Sequence, residues 1–339
     1  MHVRYEPVDS PDQTTIFPYH ELVPPTVADI YHAKRRIRPY LPTTPLVRSE
    51  WLSAELDGDV YVKREDTLPT GAFKVRGGIN LVAQLNPEFH DPGLIAASTG
   101  NHGQSVAYAG RTFDLPVVIC VPNDANPEKV RAMERLGAEV IHHGADYDDA
   151  REHAERLATE HGYRYVHSAN EPALIAGVGT AGLEVVETLP SADVVFCPVG
   201  GGSSASGYAL TAGSLLGADV IGVQSAAAPA MQTAWQDGTL DPHDRMDTFA
   251  EGLASRVPFA LTMEIMRDHL TDFQLVSDRA LQSAMVGLLS EERIVTEGAG
   301  AAATAGALAA ADELAGHTVV IVVSGRNVAA KKLHRLIES

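Results

Sequence analysis

The chain has 339 residues, 45% of them hydrophobic, with 29 Gly and 20 Pro, a composition ordinary for a soluble α/β enzyme and a length sufficient for two domains around one cleft. The formal net charge of −18 argues against nucleic acid as a partner, because phosphate would be repelled overall. No apolar run is long enough to cross a bilayer and Met1–Glu6 opens no signal-peptide core, so a cytoplasmic protein without a membrane partner is expected. Residues 1–25 mix Pro, Asp and Thr without periodicity and read as an irregular arm. From Val27 the spacing Ile30, Ala33, Ile37 predicts a helix ending before Pro39, and Thr43–Leu46 reads as an extended turn. Val60–Lys63 is a short strand. Apolar strand-like runs then follow at Leu94–Ala97, Val117–Val121, Val140–His142, Val194–Val199, Val220–Val223 and Val319–Val323. Between them helices are expected near Gly78–Leu85, Gln104–Phe113, Pro127–Leu136, Tyr147–Glu160, Ile175–Thr188, Ser206–Leu216, Asp278–Glu292, Gly300–Glu313 and Val328–Ile337. Continuous apolar strands alternating with helices mean open parallel sheets covered on both faces.

Cys120 and Cys197, the only cysteines, lie in apolar runs and read as buried free thiols; neither has a second Cys or His at metal-ligand spacing. Lysine is restricted to Lys34, Lys63, Lys74, Lys129, Lys331 and Lys332, while acidic residues outnumber basic ones 44 to 26. An acid-rich, lysine-poor surface suits a halophilic protein, since concentrated salt screens its self-repulsion.

Four stretches carry chemistry. In the first, Leu68–Asn80, Lys74 lies between Phe73 and Val75 after a Pro/Thr/Gly turn signal. Burial there would lower its pKa and make the neutral amine a Schiff-base nucleophile or a base, although the stretch alone also fits a solvated lysine at a helix start. The second, Ser98-Thr99-Gly100-Asn101-His102-Gly103, turns from strand to helix, where backbone N–H groups favour an anion; alone, it also fits a plain turn. The third, Pro198-Val199-Gly200-Gly201-Gly202-Ser203-Ser204, lets the backbone close around phosphate oxygens, and lacks the Lys-Ser or Lys-Thr of an ATP-type loop. A dinucleotide fingerprint forced onto Gly298–Gly300 follows no strand and has no acidic residue at ribose spacing. The fourth, Ser324-Gly325-Arg326-Asn327-Val328, follows the last strand, and Ser324 or Asn327 could equally cap a helix.

Together and in this order, the four stretches resemble the tryptophan-synthase-β-like (fold type II) family of pyridoxal phosphate enzymes, and within it the threonine/serine dehydratases (ammonia-lyases), from about Val27 to the C-terminus. The resemblance implies that Lys74 carries pyridoxal 5'-phosphate as a Schiff base with Phe73 packed against it, and that Asn101 bonds the cofactor's phenolic oxygen. It further implies that Ser98, Thr99, Gly100, Asn101 and His102 receive the substrate carboxylate, that Gly200, Gly201, Gly202 and Ser203 hold the cofactor phosphate, and that Ser324 faces the pyridine nitrogen. Gly177–Thr180 and Thr296–Ala301 also match family stretches. On this reading threonine or serine displaces Lys74, the freed amine removes the Cα proton, the β-hydroxyl leaves, and a 2-oxo acid and ammonia follow. A neutral hydroxyl at Ser324 would leave the ring nitrogen largely unprotonated and favour prompt β-elimination.

Three departures from the family pattern are visible. Gln224, with Ala228 and Ala230 after it, stands where related enzymes place carboxylate ligands, so no metal is expected. The usual Ala-Asp-Gly reads Ala250-Glu251-Gly252, and Thr99 replaces the serine of the racemases, keeping the hydroxyl and adding a methyl. The expected architecture is residues 1–80 with 171–339 as a large domain, 81–170 as a smaller inserted α/β domain, and no C-terminal regulatory domain. The family suggests a homo-oligomer, a dimer or larger. Rival readings are threonine synthase or another β-replacement enzyme, a lyase for another hydroxyamino acid, and a non-catalytic cofactor- or amino-acid-binding protein, which ammonia release would exclude. A nicotinamide oxidoreductase is a further rival, removed by absence of binding to that cofactor.

Overall fold

A computed structural model describes residues 22–338. Most of the arm read at residues 1–25 therefore lies outside the described residues. Two sheets organise the chain. The strands are β1 Leu46–Arg48, β2 Asp59–Arg64, β3 Leu94–Ala97, β4 Val117–Val121, β5 Glu139–His142, β6 Arg164–Tyr165, β7 Val194–Pro198, β8 Asp219–Ser225, β9 Asp272–Val276 and β10 Thr318–Val323. The six-stranded sheet runs β1-β2-β10-β7-β8-β9 and the four-stranded sheet β5-β4-β3-β6. All pairings are parallel except β1 with β2. In register, Val323 lies opposite Arg64, so the end of β10 stands beside the end of β2, just ahead of the lysine segment.

Both sheets are covered on two faces, which is why their central strands are continuously apolar. Val194, Phe196, Val319, Ile321 and Val323 pack against the helices Asp278–Glu292 and Ala302–Ala309. The alternate residues Val195, Cys197, Val320 and Val322 meet Tyr208, Met231, Met263 and Met266 on the opposite face. In the smaller sheet Leu94, Ala96, Val117 and Ile119 face one core, while Ile95, Ala97, Val118 and Cys120 face the helix Tyr147–His161. Both cysteines are buried free thiols.

The helix after the lysine begins earlier than its sequence suggests, spanning Val75–Val82 with Lys74 at its N-cap. Gly77 and Gly78 weaken helix propensity, yet they are what the packing requires. A Cβ on Gly78 would stand 2.5 Å from Ser105 Oγ, and one on Gly77 would stand 2.9 Å from Leu174. Neighbouring helices Asn101–Phe113 and Pro172–Thr188 thus press directly on the backbone beside Lys74. Among the described residues three strands and three α-helices escape the sequence reading: β1, β6, β9 and the helices Glu50–Glu55, Ala230–Asp237 and Ala260–His269. Among the described residues no helix is long and apolar enough to cross a membrane.

Candidate active site

The lysine segment docks on the segment that follows β10. Ala72 bridges Gly325, the Phe73 N–H donates to the Ser324 carbonyl at 3.0 Å, and the Arg326 N–H donates to the Gly71 carbonyl at 2.9 Å. Asn327 Nδ2 adds a bond to the Thr70 carbonyl at 2.9 Å. Neither Ser324 nor Asn327 caps a helix, because the next one begins at Ala330. Ser324 is buried, with its Oγ 3.5 Å from the Ala299 carbonyl. Gly300 serves this junction, since a Cβ there would stand 2.1 Å from the Gly325 carbonyl oxygen.

Lys74 Nζ donates to Ser203 Oγ at 2.9 Å and to the Ser168 carbonyl at 3.0 Å, and stands 5.2 Å from the centroid of the Phe73 ring. These partners join the end of β7 to the segment after β6. Both oxygens are neutral, so nothing offsets the loss of hydration, and desolvation pulls the Lys74 amine down to about 8. Part of the amine's neutral, nucleophilic form is therefore present at physiological pH.

The glycine loop lies directly beneath. Gly202 has φ +87, and a Cβ on it would stand 2.9 Å from Thr262. At Gly200 a Cβ would stand 2.1 Å from the Gly252 carbonyl oxygen, so the loop tolerates no side chain there. Thr262 Oγ1 donates to the Gly201 carbonyl at 2.8 Å, which holds the loop in place. Ser204 Oγ is buried without a hydrogen-bond partner. A left-handed glycine leading into a helix start, with an unpaired hydroxyl and an amine beside it, is a fitting cradle for the phosphate and aldehyde ends of pyridoxal phosphate.

In the turn after β3, Ser98 Oγ accepts from the N–H groups of Gly100 at 3.1 Å and Gly103 at 2.8 Å, which shapes the backbone at Thr99. Asn101 is engaged at both ends of its amide: Nδ2 donates to Glu297 Oε1 at 2.6 Å, and Oδ1 accepts from Asn327 Nδ2 at 2.7 Å. Burial raises the Glu297 carboxyl above its ordinary value, against the opposing effect of the Asn101 bond. His102 turns away toward β6, donating from Nε2 to the Val166 carbonyl at 2.9 Å, with Nδ1 buried and unpartnered. Desolvation and the nearby Lys74 charge press its pKa to about 3, so it stays neutral. Glu297 and Asn327 lie inside stretches singled out in the sequence, but nothing local assigns them to Asn101, which they reach from 196 and 226 residues away.

His167, Ser168 and Arg76 have no sequence signal of their own. His167 Nδ1 accepts from the N–H groups of Ala169 and Asn170, which fixes the ring beside Phe259. Arg76, wholly buried, donates to Glu65, Glu184, Thr180 and Thr44, and Lys63 joins the same cluster through Glu184 at 2.6 Å. Burial lowers the Lys63 pKa despite its carboxylate neighbours. Gln224, where related enzymes place a carboxylate ligand, accepts from the Gln232 N–H at 3.1 Å and donates to the Leu253 carbonyl at 3.4 Å. Among the described residues no group of three or more His, Cys, Asp or Glu is placed to hold a metal ion.

Comparison with known proteins sets this geometry in context. A family model described as pyridoxal-phosphate dependent enzyme matches residues 37–325. The chain is 37% identical to an L-threonine ammonia-lyase of Thermotoga maritima, over 92% of this chain and 78% of that protein. It is 34% identical to an L-threo-3-hydroxyaspartate ammonia-lyase of Saccharomyces cerevisiae, over 93% and 97%. Its fold superposes on the processed form of threonine deaminase isoform 2 from Solanum lycopersicum with a TM-score of 0.86 and 30% identity, covering 93% of this chain and 95% of that one.

Proposed function

The chain belongs to the pyridoxal-phosphate dependent enzymes, and from that membership we propose that it is a threonine ammonia-lyase (threonine/serine dehydratase), converting L-threonine, and also L-serine, to a 2-oxo acid and ammonia. The observation that carries the reading is Lys74, an amine whose hydrogen-bond partners are two neutral oxygens and which touches the glycine loop through Ser203. When bound, the cofactor supplies an electron sink for the bonds at the substrate's Cα. Lys74 Nζ anchors the cofactor and, once free, takes the Cα proton, a role suited to an amine with a pKa of about 8. Gly200, Gly201, Gly202 and Ser203 would hold the phosphate, and Phe73 would cover the ring. Asn101, held by Glu297 and Asn327, would orient the ring's oxygen edge, and Ser324 would face the ring nitrogen. The turn Ser98–His102 takes the substrate carboxylate on backbone N–H groups at the start of the helix Asn101–Phe113.

The test is Lys74→Ala against the native protein. Native protein is expected to show the visible absorbance of a lysine-bound cofactor and to form 2-oxobutanoate and ammonia from L-threonine, and the variant to lose both together. Turnover that persists in the variant after the absorbance has gone would sink the assignment. A second substrate reading, a hydroxyamino acid with an additional carboxylate, draws support from the yeast relative and is separated by running the same assay on L-threo-3-hydroxyaspartate.

The wider organisation follows the same reading. The six-stranded sheet belongs to a large unit, the described residues of 1–80 with those of 171–339, and the four-stranded sheet to an inserted unit, 81–170; the separate strand sets support this division. The active form is a cytoplasmic homo-oligomer, a dimer or larger. The net charge of −18 supports a halophilic habitat, for which stability rising with added potassium chloride is the check.

A further inference from the structure

Lys129 and Glu251, 122 residues apart, meet across the junction of the two sheets. Lys129 lies in the helix Pro127–Arg135, which follows β4 of the smaller sheet. Glu251 opens the short turn Glu251–Leu253, and its neighbour Gly252 rests its carbonyl against Gly200 of the glycine loop. The Lys129 ammonium donates to Glu251 Oε2, and Lys332 Nζ stands 3.4 Å from Oε1 of the same carboxylate. These three side chains line one cavity with Asn126, Glu297 and Asn327. The Lys129 side chain is only 14% exposed, and its Nζ stands 3.6 Å from the point where a Cβ on Gly100 would be.

Glu251 alone would cancel most of the field of Lys129. Lys332 on the same carboxylate draws part of the charge of Glu251 away from Lys129, and with Glu297 the cavity holds two ammonium groups and two acids, the Lys129 ammonium being the one placed beside Gly100 of the turn Ser98–His102. The backbone dipoles of that turn act only over the first helical turn, whereas a full charge at this range adds to them. The extra methylene of glutamate over the family's aspartate at this position lengthens the reach of the acid toward Lys129.

We propose that Lys129 is a further binding residue for the substrate carboxylate, and that Glu251 is the positioning residue that holds its ammonium beside Gly100. The inference rests on the assignment of the Ser98–His102 turn to that carboxylate. The experiment titrates cofactor-loaded full-length protein with L-alanine, which has no β-leaving group, and with L-alaninamide, which lacks the carboxylate, following the absorbance of the bound cofactor. Lys129→Met is expected to weaken L-alanine about tenfold and leave L-alaninamide unchanged. Lys129→Arg restores most of the loss, and Glu251→Gln gives a smaller loss of the same kind. The exchanged pair Lys129→Glu with Glu251→Lys, which rebuilds the contact with its charges reversed, does not restore it. Where Lys129→Met fails to load the cofactor, Lys129→Gln and Glu251→Gln carry the same comparison. An unchanged acid-to-amide ratio in Lys129→Met and Lys129→Gln, or full rescue by the exchanged pair, overturns the proposal, because the contact is then only a tie between elements. Ser98→Ala separates the two levels: a ratio lowered there and unchanged at Lys129 defeats this inference alone, and a ratio unchanged in both defeats the carboxylate turn as well.

Discussion

Replacing Arg76 with Met probes what keeps the lysine segment in place. The Arg76 guanidinium donates to Glu65 at 2.7 and 2.9 Å, to both carboxylate oxygens of Glu184 at 2.8 Å, and to the hydroxyls of Thr180 and Thr44 at 3.1 Å. With Lys63 it makes two cations for two carboxylates, all shielded from solvent. Met fills much of the volume but leaves one buried carboxylate uncompensated. Removing one member of a buried pair costs about 3–5 kcal/mol, and a guanidinium shared by two acids belongs in the upper part of that range. Unfolding entropy of roughly 2.1 cal/mol/K per residue gives about 0.7 kcal/mol/K for a chain of this length, so the melting temperature should fall by about 6 °C. The pH dependence gives a second, sharper reading. In the native protein burial acts to raise the Glu184 carboxyl, but Arg76 and Lys63 outweigh it and hold the pKa below its ordinary value. Its contribution is therefore present at neutral pH and lost as pH falls through the folded value. Without Arg76, Glu184 keeps Lys63 but loses the larger of its two cationic influences, so its carboxyl titrates higher than in the native protein and the gap between native and variant shrinks as pH falls through the variant's value. Guanidinium unfolding of cofactor-loaded protein, followed by circular dichroism at pH 5 and pH 8, should give a smaller gap between native and variant at pH 5. A loss under about 1 kcal/mol, or a gap that widens at pH 5, would refute the account of the cluster.

Two further outcomes follow from the site. Because the Lys74 amine lies near 8, the rate at which cofactor-free protein takes up pyridoxal phosphate should rise steeply from pH 7 and level off above pH 9; stopped-flow absorbance that keeps climbing tenfold between pH 9 and 10 would mean an ordinary, solvated lysine. Gly202→Ala combines a left-handed backbone with a Cβ 2.9 Å from Thr262, whereas Gly217→Ala, at φ +71, meets nothing within 4 Å. Both should lose about 1–2 kcal/mol of stability to the backbone conformation, but only Gly202→Ala should also lose cofactor affinity, tenfold or more by absorbance titration, and equal affinities would remove the glycine loop from the site.

The parts legible in the sequence are those whose signal is local. β4 is bounded by its apolar run, and the helix Val27–Ile37 by its periodicity and Pro39, while its Thr26 cap emerges with the structure. β9 was missed because it is an edge strand: Phe273 and Val276 are buried while Leu275 is 40% exposed, so no continuous apolar run marks it. β6 has two residues, too few for any pattern. The expected helix over 206–216 begins at Ser203 and is broken by a π-turn at Ala209–Gly213, and its start is set by the loop ahead of it. The stretches around Lys74, Asn101, Gly200–Ser203 and Ser324 stood out because glycines and strand-to-helix turns are local features. Their mutual bonds did not, since a contact such as Asn101 with Glu297 depends on which strands lie side by side. The acid at position 251 was visible as a departure, but its partner Lys129 came into view only with the two sheets in place.

The strand order bears on how the chain is made. β10 is the last strand in sequence, yet it lies between β2 and β7 in the larger sheet. During synthesis β2 and β7 leave the ribosome with facing edges unpaired, and some 120 residues separate the end of β7 at 198 from the start of β10 at 318. At about 5–20 residues per second that interval lasts on the order of ten seconds, in which two apolar edges can find other partners. The same late strand delivers the backbone on which Ala72 and Phe73 dock. Cofactor capture therefore waits for the C-terminal strand, and a nascent chain that stalls before it can neither close its larger sheet nor become coloured.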